Sequence, residues 1–578
     1  MNIKLVFGFL ISCMSFINLN AQGLLPEKWK FKTGDNVEWA KPSFNDNDWK
    51  EIAAGSAWEN QSYDGYDGYA WYRTSVFISS KLKEDAKKYG GLILRLGRID
   101  DADITYLNGE LLGKTGGFPP YFASAHSTLR EYPISVDKVL WNQPNVIAVR
   151  VYDGGGQGGM CTKPVELTVK SIADNFTIAP AFKEQNHVLL GASDIIIPLS
   201  IKNNLATTFK GKVTINVISD FKEPISTQII ETEIGKKAEK KISFPIKNLK
   251  PGFYKVTVRF EGKLLSKESD FSFAYEPEKV VSAVDAQPDF LNYWERAKKE
   301  LEAVEPQYKV IKKDSLCTKG HTIFLVEMRS LGNVLVRGWL SIPTKAGKYP
   351  AILRVQGYSS TTTAQDLNYG DDFVSFGLNI RGHGNSKDDV NPGFPGYLQN
   401  FVKDKELYIY RGAYMDCVRA IDFLCSRAEV DTSRIVVEGG SQGGALTFAT
   451  AALDNKRIKF CVPQIPFLSD FLYYFKVAIW PGNEFVNLVE KDKKATWENV
   501  FYTLSYIDIK NLAPMIKAPM LMCSGLLDDV CPPHINFAAY NNVKSKKEYV
   551  VFPNLGHAVS DDFNQFKMDW IRKNLGMK

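Results

Sequence analysis

One serine in the C-terminal half of the chain is flanked by glycines in a pattern typical of a catalytic nucleophile. The sequence Gly-Gly-Ser-Gln-Gly-Gly (439–444) follows the apolar run 434–438 and precedes the helix-forming run 445–453. Strand, Gly-x-Ser-x-Gly and helix in this order predict a nucleophile elbow, a strained turn that exposes the hydroxyl of Ser441. The residue two positions before the serine and the residue two positions after it must be small, or strand and helix collide. An ordinary glycine-rich turn is the alternative.

A serine hydroxyl is a poor nucleophile at neutral pH and needs a base, usually histidine. In α/β-hydrolases the chain order is Ser, then Asp or Glu, then His. The chain has six histidines, and only His534 and His557 follow Ser441. His557 lies between the apolar run 549–552 and the amphipathic segment 561–575, where this fold places its base, whereas His534 is expected in the first turn of a helix. We predict His557 as the base; a loop-capping histidine is the alternative.

The acid that orients the base should follow the preceding strand, which we predict at 518–525. Asp528 and Asp529 both come shortly after it, and either could hold the imidazole in the required tautomer. Spacing alone leaves the choice between them open. One of them could instead cap the helix expected near Pro532.

An oxyanion hole needs two main-chain N–H groups aimed at the developing charge. One is expected from Gln442, directly after the serine, and the other from the loop after an earlier strand. The run 350–355 reads as that strand, which assigns the second donor to the N–H of Tyr358. A plain tight loop is the alternative.

With these pieces in place, residues 280–578 resemble the acetyl xylan esterase and cephalosporin C deacetylase family. The segments that carry the resemblance are 381–386 (Arg-Gly-His-Gly-Asn-Ser), 408–411 (Tyr-Ile-Tyr-Arg), 414–422, 439–444, 466–471 (Pro-Phe-Leu-Ser-Asp-Phe), 525–533, 537–541 and 556–557. The resemblance implies an α/β-hydrolase domain that acts as a serine esterase on acetylated sugars. It implies Ser441 as nucleophile, Asp528 rather than Asp529 as acid and His557 as base, with the N–H groups of Tyr358 and Gln442 binding the oxyanion.

Three positions depart from the family pattern. His383 replaces a glutamine, Ala558 follows the base where glutamate is usual, and Gln356 stands where histidine is frequent. None is a triad position, so hydrolysis is still expected, while the acyl and leaving groups are less well defined. The candidate substrate-binding residues are Tyr358, His383, Pro466 and Phe467. For His383 a purely structural role is the alternative.

At 578 residues the chain exceeds one domain. Residues 23–172 show short strands between turns, one of them predicted at 103–109, and resemble, at 46–49, 71–73 and 106–109, the galactose-binding-like jelly-roll β-sandwich of β-galactosidases and sialate O-acetylesterases. Six of the eleven tryptophans fall in this region, where they could stack on sugar rings or fill the core; we favour the core. Residues 173–277 predict an immunoglobulin-like sandwich that acts as a spacer, and residues 278–578 the hydrolase domain.

The first 22 residues read as a signal peptide, with Lys4, the apolar run 5–19 and a short polar end. We therefore expect export to the periplasm or the cell exterior. The apolar run is too short for a membrane span, and it continues past Cys13, so a lipid anchor is not expected. The formal charge of +6 is spread along the chain and does not indicate nucleic-acid binding. Cysteine spacing fits no zinc site.

The combined prediction is an exported multidomain serine esterase that removes O-acetyl groups from acetylated oligo- or polysaccharides, xylan-derived or similar. No metal or organic cofactor is expected, and the resemblance adds a homo-oligomer. Two alternatives stay open. One is a serine peptidase of the prolyl oligopeptidase type, which shares the elbow and chain order but would need propeller blades that the N-terminal part lacks. The other is a carbohydrate-binding protein whose hydrolase fold is inactive.

Overall fold

The computed structural model describes residues 24–119, 124–126, 128–191 and 194–577. Its chain divides into two compact units, one up to Asn175 and the other from Phe176 onwards. The predicted signal peptide, 1–22, with Cys13, lies outside the described residues. Among the described helices, none combines the length and apolar character that a membrane crossing requires.

The first unit is built mainly from short antiparallel strands. In chain order its elements are β1 (Lys28–Thr33), β2 (Lys50–Ala53), β3 (Gly68–Ile78), α1 (Lys83–Tyr89), β4 (Leu92–Asp100), β5 (Ala102–Leu107), β6 (Glu110–Thr115), β7 (Leu129–Ile134), β8 (Gln143–Asp153), β9 (Gly159–Met160) and β10 (Val165–Val169). The described strands form a six-stranded sheet, β2-β1-β3-β8-β5-β6, and a smaller sheet, β10-β4-β7, with β9 paired to β4.

One hydrophobic core joins the two sheets of the first unit. Phe31 and Tyr72 of the larger sheet and Leu94 and Leu167 of the smaller one belong to it. Alternate side chains of a strand point to the same face, so each sheet contributes one face to this core and the unit is a β-sandwich. The tryptophans buried here are Trp29, Trp49, Trp58 and Trp71. Their burial supports packing rather than sugar stacking.

The predicted strand 103–109 ends two residues early. Asn108 and Gly109 have φ angles of 52° and 84°, in the left-handed region. They form the two-residue loop of a hairpin in which Leu107 of β5 faces Glu110 of β6. Asn-Gly is the pair that such a loop favours, because both central residues need positive φ. The sequence pattern at these two positions is therefore a turn and not the end of a strand.

The second unit begins with another pair of sheets. Its first strands are β11 (Phe176–Pro180), β12 (Val188–Leu189), β13 (Ile195–Asn203), β14 (Phe209–Ser219), β15 (Pro224–Ile234), β16 (Glu239–Ile246), β17 (Gly252–Gly262) and β18 (Leu265–Tyr275). They form the sheets β11-β13-β16 and β12-β18-β17-β14-β15. Phe176 of one sheet packs on Phe209 and Phe260 of the other, with ring centroids 5.2 and 5.5 Å apart. We call this region the middle sandwich.

The rest of the second unit has the α/β-hydrolase fold. Its elements are α2 (Phe290–Glu302), β19 (Lys309–Lys312), β20 (His321–Ser330), β21 (Val334–Pro343), β22 (Tyr349–Val355), β23 (Val374–Asn379), α3 (Ile409–Cys425), β24 (Val430–Gly440), α4 (Gln442–Leu453), β25 (Ile458–Gln464), α5 (Phe471–Val477), α6 (Asn483–Lys491), α7 (Trp497–Ile507), α8 (Ile509–Leu512), β26 (Met520–Gly525), α9 (Pro533–Asn542), β27 (Lys547–Phe552) and α10 (Asp561–Asn574). The strands form one sheet in the order β19-β20-β21-β23-β22-β24-β25-β26-β27.

The parallel part of this sheet brings the predicted site residues to one edge. Neighbouring strands from β23 through β22 and β24 to β27 run parallel. Their carboxyl ends therefore meet at the same edge, where open α/β sheets bind ligands. Tyr358 follows β22, Ser441 follows β24, Asp528 follows β26 and His557 follows β27.

The middle sandwich packs directly on α9, the helix that follows the Asp528 loop. His534 Nδ1 lies 3.0 Å from Asp220 Oδ2, and the rings of Phe253 and Phe537 are 5.5 Å apart. The segment after β18 also takes part, because the carbonyl oxygen of Pro277 accepts a hydrogen bond from the Asn541 side chain at 2.9 Å. Within the second unit the sandwich is thus attached to the hydrolase through several contacts. The domain limits at 172/173 and 277/278 stay predictions.

A buried charge cluster stabilises the strand that carries the nucleophile. Glu438 on β24 is fully buried and lies 2.9 Å from Lys567 Nζ of α10 and 3.3 Å from Arg354 Nη1 of β22. It also accepts a hydrogen bond from the Tyr369 hydroxyl. Burial alone would raise the pKa of Glu438, but the two cations outweigh it and hold the pKa at about 2. A carboxylate with a lowered pKa stabilises the fold above its unfolded pKa, near 4.5.

We expect Glu438→Gln to lower the free energy of unfolding of the second unit at pH 7 by about 3 kcal/mol, because the buried ammonium of Lys567 and the partly exposed guanidinium of Arg354 lose their charged partner. The stability that Glu438 contributes is lost as pH falls from about 4.5 towards about 2, so the variant should also show a weaker loss of stability over that window. Denaturant unfolding at several pH values measures both effects. Glu490→Gln, on the exposed end of α6, is the control. A variant as stable as the control would contradict the expectation.

Candidate active site

Ser441 occupies the sharp turn between β24 and α4. Its φ is 59° and its ψ is −120°, a conformation that a residue with a side chain rarely adopts. Main-chain bonds hold it there: the Ser441 N–H donates to the carbonyl oxygen of Gln464 at 3.0 Å, and the Ser441 carbonyl oxygen accepts from the N–H of Phe467 at 3.0 Å. The end of β25 and the residues after it therefore fix the strained turn in place.

The glycines around Ser441 are required by close backbone contacts. A Cβ atom on Gly439 would lie 2.4 Å from the carbonyl oxygen of Val355, and one on Gly443 would lie 2.3 Å from the same oxygen. A Cβ on Gly444 would lie 2.7 Å from the carbonyl oxygen of Gln464. Strand β22 and helix α4 can approach each other only because these positions lack side chains.

The structure brings Ser441, His557 and Asp528 into one hydrogen-bonded chain. His557 Nε2 lies 2.9 Å from Ser441 Oγ, and His557 Nδ1 lies 2.9 Å from Asp528 Oδ2 and 3.1 Å from Oδ1. The Asp528 side chain is fully buried and also accepts from the N–H groups of Val530 and Cys531 at 3.0 and 2.7 Å. Of the two aspartates left open by spacing, Asp528 contacts the imidazole, while Asp529 is exposed.

The surroundings of His557 favour its charged form. Burial opposes a charge on the imidazole, but Cys531 and Asp528 favour it, and the balance raises the pKa of His557 well above its usual value. We ascribe the rise to the Asp528 carboxylate, because burial raises the pKa of the Cys531 thiol and keeps it neutral. An imidazole with a raised pKa is a stronger base towards the Ser441 hydroxyl. Only the neutral imidazole can accept that proton, so activity should rise with pH.

The predicted oxyanion donors flank Ser441. Gln442 is the first residue of α4, so its N–H has no preceding helical carbonyl to bind. Gly357, on the loop after β22, is so close that a Cβ there would lie 4.0 Å from Ser441 Cβ. Tyr358 follows it, and within the described chain its N–H donates to no other group. Both N–H groups are therefore free to bind an oxygen beside the serine.

The Gln442 side chain connects the elbow to this loop. The Tyr410 hydroxyl donates to Gln442 Oε1 at 2.6 Å, and Gln442 Nε2 donates to the Gly357 carbonyl oxygen at 3.3 Å. His383 Nε2 lies 3.1 Å from the same amide nitrogen. Burial lowers the pKa of His383 to about 3, so the ring is neutral at ordinary pH and can accept this hydrogen bond. Its ring is fully buried against Phe394, which favours the structural role over substrate contact.

The other candidate substrate-binding residues differ in their access to solvent. Tyr358 is half-buried, and its hydroxyl donates to the buried carboxylate of Glu484, which also accepts from the Gly396 N–H at 2.8 Å. Pro466 and Phe467 are buried behind the elbow, where Phe467 holds the Ser441 carbonyl oxygen. The structure therefore brings Tyr358 to the surface near the serine and places the other two beneath it.

Three functional neighbours were not predicted from the sequence. Cys531 Sγ lies 3.9 Å from Ser441 Oγ, Tyr410 fixes the Gln442 side chain, and Glu484 fixes Tyr358. Tyr410 and Cys531 lie in segments that carry the family resemblance, and that was the available signal for them. Glu484 lies in a helix with no distinguishing pattern, and nothing in the sequence indicated it.

One thiol lies beside Ser441, and one possible group of metal ligands lies within the first unit. The cysteines of the described chain are all free thiols, and of these Cys531 is the one beside Ser441. Among the described residues, Asp100, Asp101 and His126 of the first unit have ligand atoms within 4.8 Å of one another. Clusters of acidic side chains are common in proteins without a bound ion. Acyl transfer by serine, histidine and aspartate does not use a metal ion.

A family model described as acetyl xylan esterase (AXE1) matches residues 275–574, more than half of the chain. The chain belongs to the acetyl xylan esterase family. Membership makes it a serine carboxylic-ester hydrolase and confirms the resemblance predicted for residues 280–578.

Known proteins are similar to the hydrolase part of this chain and to its N-terminal part. Acetyl esterase Axe7A of Xylanibacter ruminicola is 28% identical over 341 residues, which are 56% of this chain and 75% of Axe7A. Beta-galactosidase BoGH2A of Bacteroides ovatus is 33% identical over 138 residues, 21% of this chain and 14% of that protein, which fits the predicted N-terminal resemblance. The crystal structure of acetyl xylan esterase 1 from a Thermoanaerobacterium species is 31% identical, covers 52% of this chain and 98% of its own, and has a TM-score of 0.49.

We expect Gly443→Ala to abolish most of the esterase activity and to destabilise the second unit by about 1–3 kcal/mol, because the added methyl group would push β22 away from α4. Gly440→Ala is a matched control, since a Cβ there meets only Gln464 Cβ at 4.0 Å. Ester hydrolysis and thermal unfolding of both variants measure the effects. Equal behaviour of the two variants would show that close approach at position 443 is not required.

We expect Asp528→Asn to lower kcat/KM by about 10³- to 10⁴-fold, because the amide favours the wrong imidazole tautomer. The rise of residual activity with pH should also move to lower pH, since the carboxylate no longer favours the imidazolium. Asp529→Asn, the exposed neighbour, should retain wild-type rates. Steady-state kinetics from pH 5 to 9 test this, and the reverse pattern would reassign the acid.

Proposed function

We propose that this protein removes O-acetyl groups from sugar hydroxyls of oligo- or polysaccharides, xylan-derived or similar, outside the cytoplasm. The observation that carries the proposal is the continuous hydrogen-bonded chain from Asp528 through His557 to Ser441, beside two free N–H groups. Membership of the acetyl xylan esterase family and the printed name of Axe7A, an acetyl esterase, support the acetyl ester as substrate. The signal-peptide pattern of residues 1–22 supports export.

The first half-reaction transfers the acetyl group to the enzyme. Ser441 Oγ attacks the acetyl carbonyl carbon while His557 Nε2 takes the hydroxyl proton, and the carbonyl oxygen becomes an oxyanion. The N–H groups of Tyr358 and Gln442 donate to this oxyanion and stabilise it by several kcal/mol (~3). When the intermediate collapses, the C–O bond to the sugar breaks, and the sugar oxygen leaves with the proton from His557.

The second half-reaction returns the enzyme to its starting state. Water replaces the sugar, and His557 takes a proton from it as its oxygen attacks the acetyl carbonyl. The same two N–H groups bind the second oxyanion. The bond to Ser441 Oγ then breaks, Oγ regains the proton from His557, and acetate leaves. Asp528 orients the imidazole through Nδ1 and stabilises the imidazolium in both halves.

The two alternatives receive less support. An inactive carbohydrate-binding protein would not need Ser441 in a strained turn at hydrogen-bond distance from an oriented imidazole, because strain of this kind is kept where function uses it. A peptidase of the prolyl oligopeptidase type shares the triad, but the family match favours an ester substrate. The first unit, a two-sheet sandwich in its described residues, also differs from a propeller.

Acetate release from acetylated xylo-, manno- and pectic oligosaccharides tests the proposal. Wild-type protein should release acetate from at least one of them, and Ser441→Ala should lower the rate by at least about 10³-fold. Ser433→Ala, an exposed serine of the same strand β24, is the control. Labelling by a fluorophosphonate at Ser441 shows that the nucleophile is active.

The result also separates the alternatives. Hydrolysis of a prolyl peptide amide at a rate exceeding that on every acetyl ester would support the peptidase. Failure of folded protein to react with the fluorophosphonate would support the binding protein. Equal or greater activity on butyrate and octanoate esters would exclude a dedicated deacetylase.

A further inference from the structure

One tryptophan of the second unit is exposed beside the predicted oxyanion loop. Trp480, between α5 and α6, keeps 48% of its surface accessible. The other tryptophans of the described chain are buried or half-buried. The exposed indole offers a large, rigid apolar surface to a ligand.

Two hydroxyl-bearing rings position Trp480. Its ring centroid lies 6.1 Å from that of Tyr358, with the planes at 70°. Its carbonyl oxygen accepts a hydrogen bond from the Tyr474 hydroxyl at 2.9 Å. Tyr358 is itself held by the carboxylate of Glu484. The Tyr358 ring meets the indole in an edge-on contact, and nearly half of the Trp480 surface stays exposed.

Both contacts place Trp480 at the rim around the nucleophile. On one side, Tyr358 follows Gly357, where an added Cβ would lie 4.0 Å from Ser441 Cβ. On the other side, the Tyr474 ring packs on Phe467 at 5.3 Å, and the Phe467 N–H holds the Ser441 carbonyl oxygen. Trp480 is therefore linked to Ser441 by two short chains of contacts from different elements.

We infer that Trp480 is the platform on which the sugar ring carrying the acetyl ester packs. This inference rests on the proposed function and identifies where the alcohol part of the substrate lies. The acetyl group is small and enters beside Ser441, so the bulky sugar must remain at the rim during attack. A pyranose ring presents a face of C–H groups, and an aromatic face is the protein surface that matches it, combining apolar area with little loss of side-chain entropy.

The platform should act on sugar esters and not on esters without a ring. Trp480→Ala should raise KM for acetylated xylo-oligosaccharides by about 5- to 10-fold, the size of one aromatic packing contact. The KM of Trp480→Phe, which keeps a smaller ring, should lie between those of Trp480→Ala and wild type. On methyl acetate the loss of kcat/KM should be clearly smaller than on the oligosaccharide, because that substrate has no group to reach the platform.

Phe566→Ala, an exposed aromatic residue on α10, is the matched control and should leave both substrates unaffected. The rate of fluorophosphonate labelling and the thermal unfolding midpoint verify that the variants are folded with an intact triad. An unchanged KM for the oligosaccharide in Trp480→Ala, or an equal loss on methyl acetate, would overturn this inference alone. Wild-type protein that hydrolyses methyl acetate but no acetylated sugar would overturn it together with the proposed function.

Discussion

The close approach of three backbone segments around Ser441 is the constraint on which the site depends. The carbonyl oxygen of Val355 lies where side chains at Gly439 and Gly443 would have to be. This packing holds Ser441 at a positive φ, aims its hydroxyl away from the sheet and sets the Gln442 N–H beside it. Glu438, on the strand that leads into the turn, is paired with Arg354 of β22 and Lys567 of α10, so its buried carboxylate is neutralised. The packed segments around Ser441 thus keep this one residue in its strained conformation.

Much of this site could be predicted from the sequence because its rules are local or depend on chain order. The glycine pattern identifies Ser441, and the scarcity of histidines after it leaves His557 as the base on a loop. Spacing alone left Asp528 and Asp529 open and the family resemblance favoured Asp528, whose carboxylate is the one that contacts the imidazole in the structure. The turn at Asn108 and Gly109 was missed because the predicted strand was extended over a pair that is itself a turn signal.

The remaining contacts could not be predicted because they join distant segments. Tyr410 and Gln442 are 32 residues apart, Cys531 and Ser441 are 90 apart, and Glu484 and Tyr358 are 126 apart. No periodicity connects such pairs, and only the packed fold decides which polar side chains meet. His383 illustrates the point, because its sequence position near the site permits contact with substrate while the structure encloses it beside Gln442.

The contact between the middle sandwich and α9 has a consequence for how the polypeptide can be shortened. The match to the acetyl xylan esterase family begins near residue 275, which suggests cutting there to obtain a smaller esterase. Such a cut would remove Phe253 from Phe537 and Asp220 from His534, and it would expose the apolar face of the helix next to the Asp528 loop. A fragment that starts at Phe176 keeps the contact between the middle sandwich and α9, and it is the shortest fragment that contains the whole second unit.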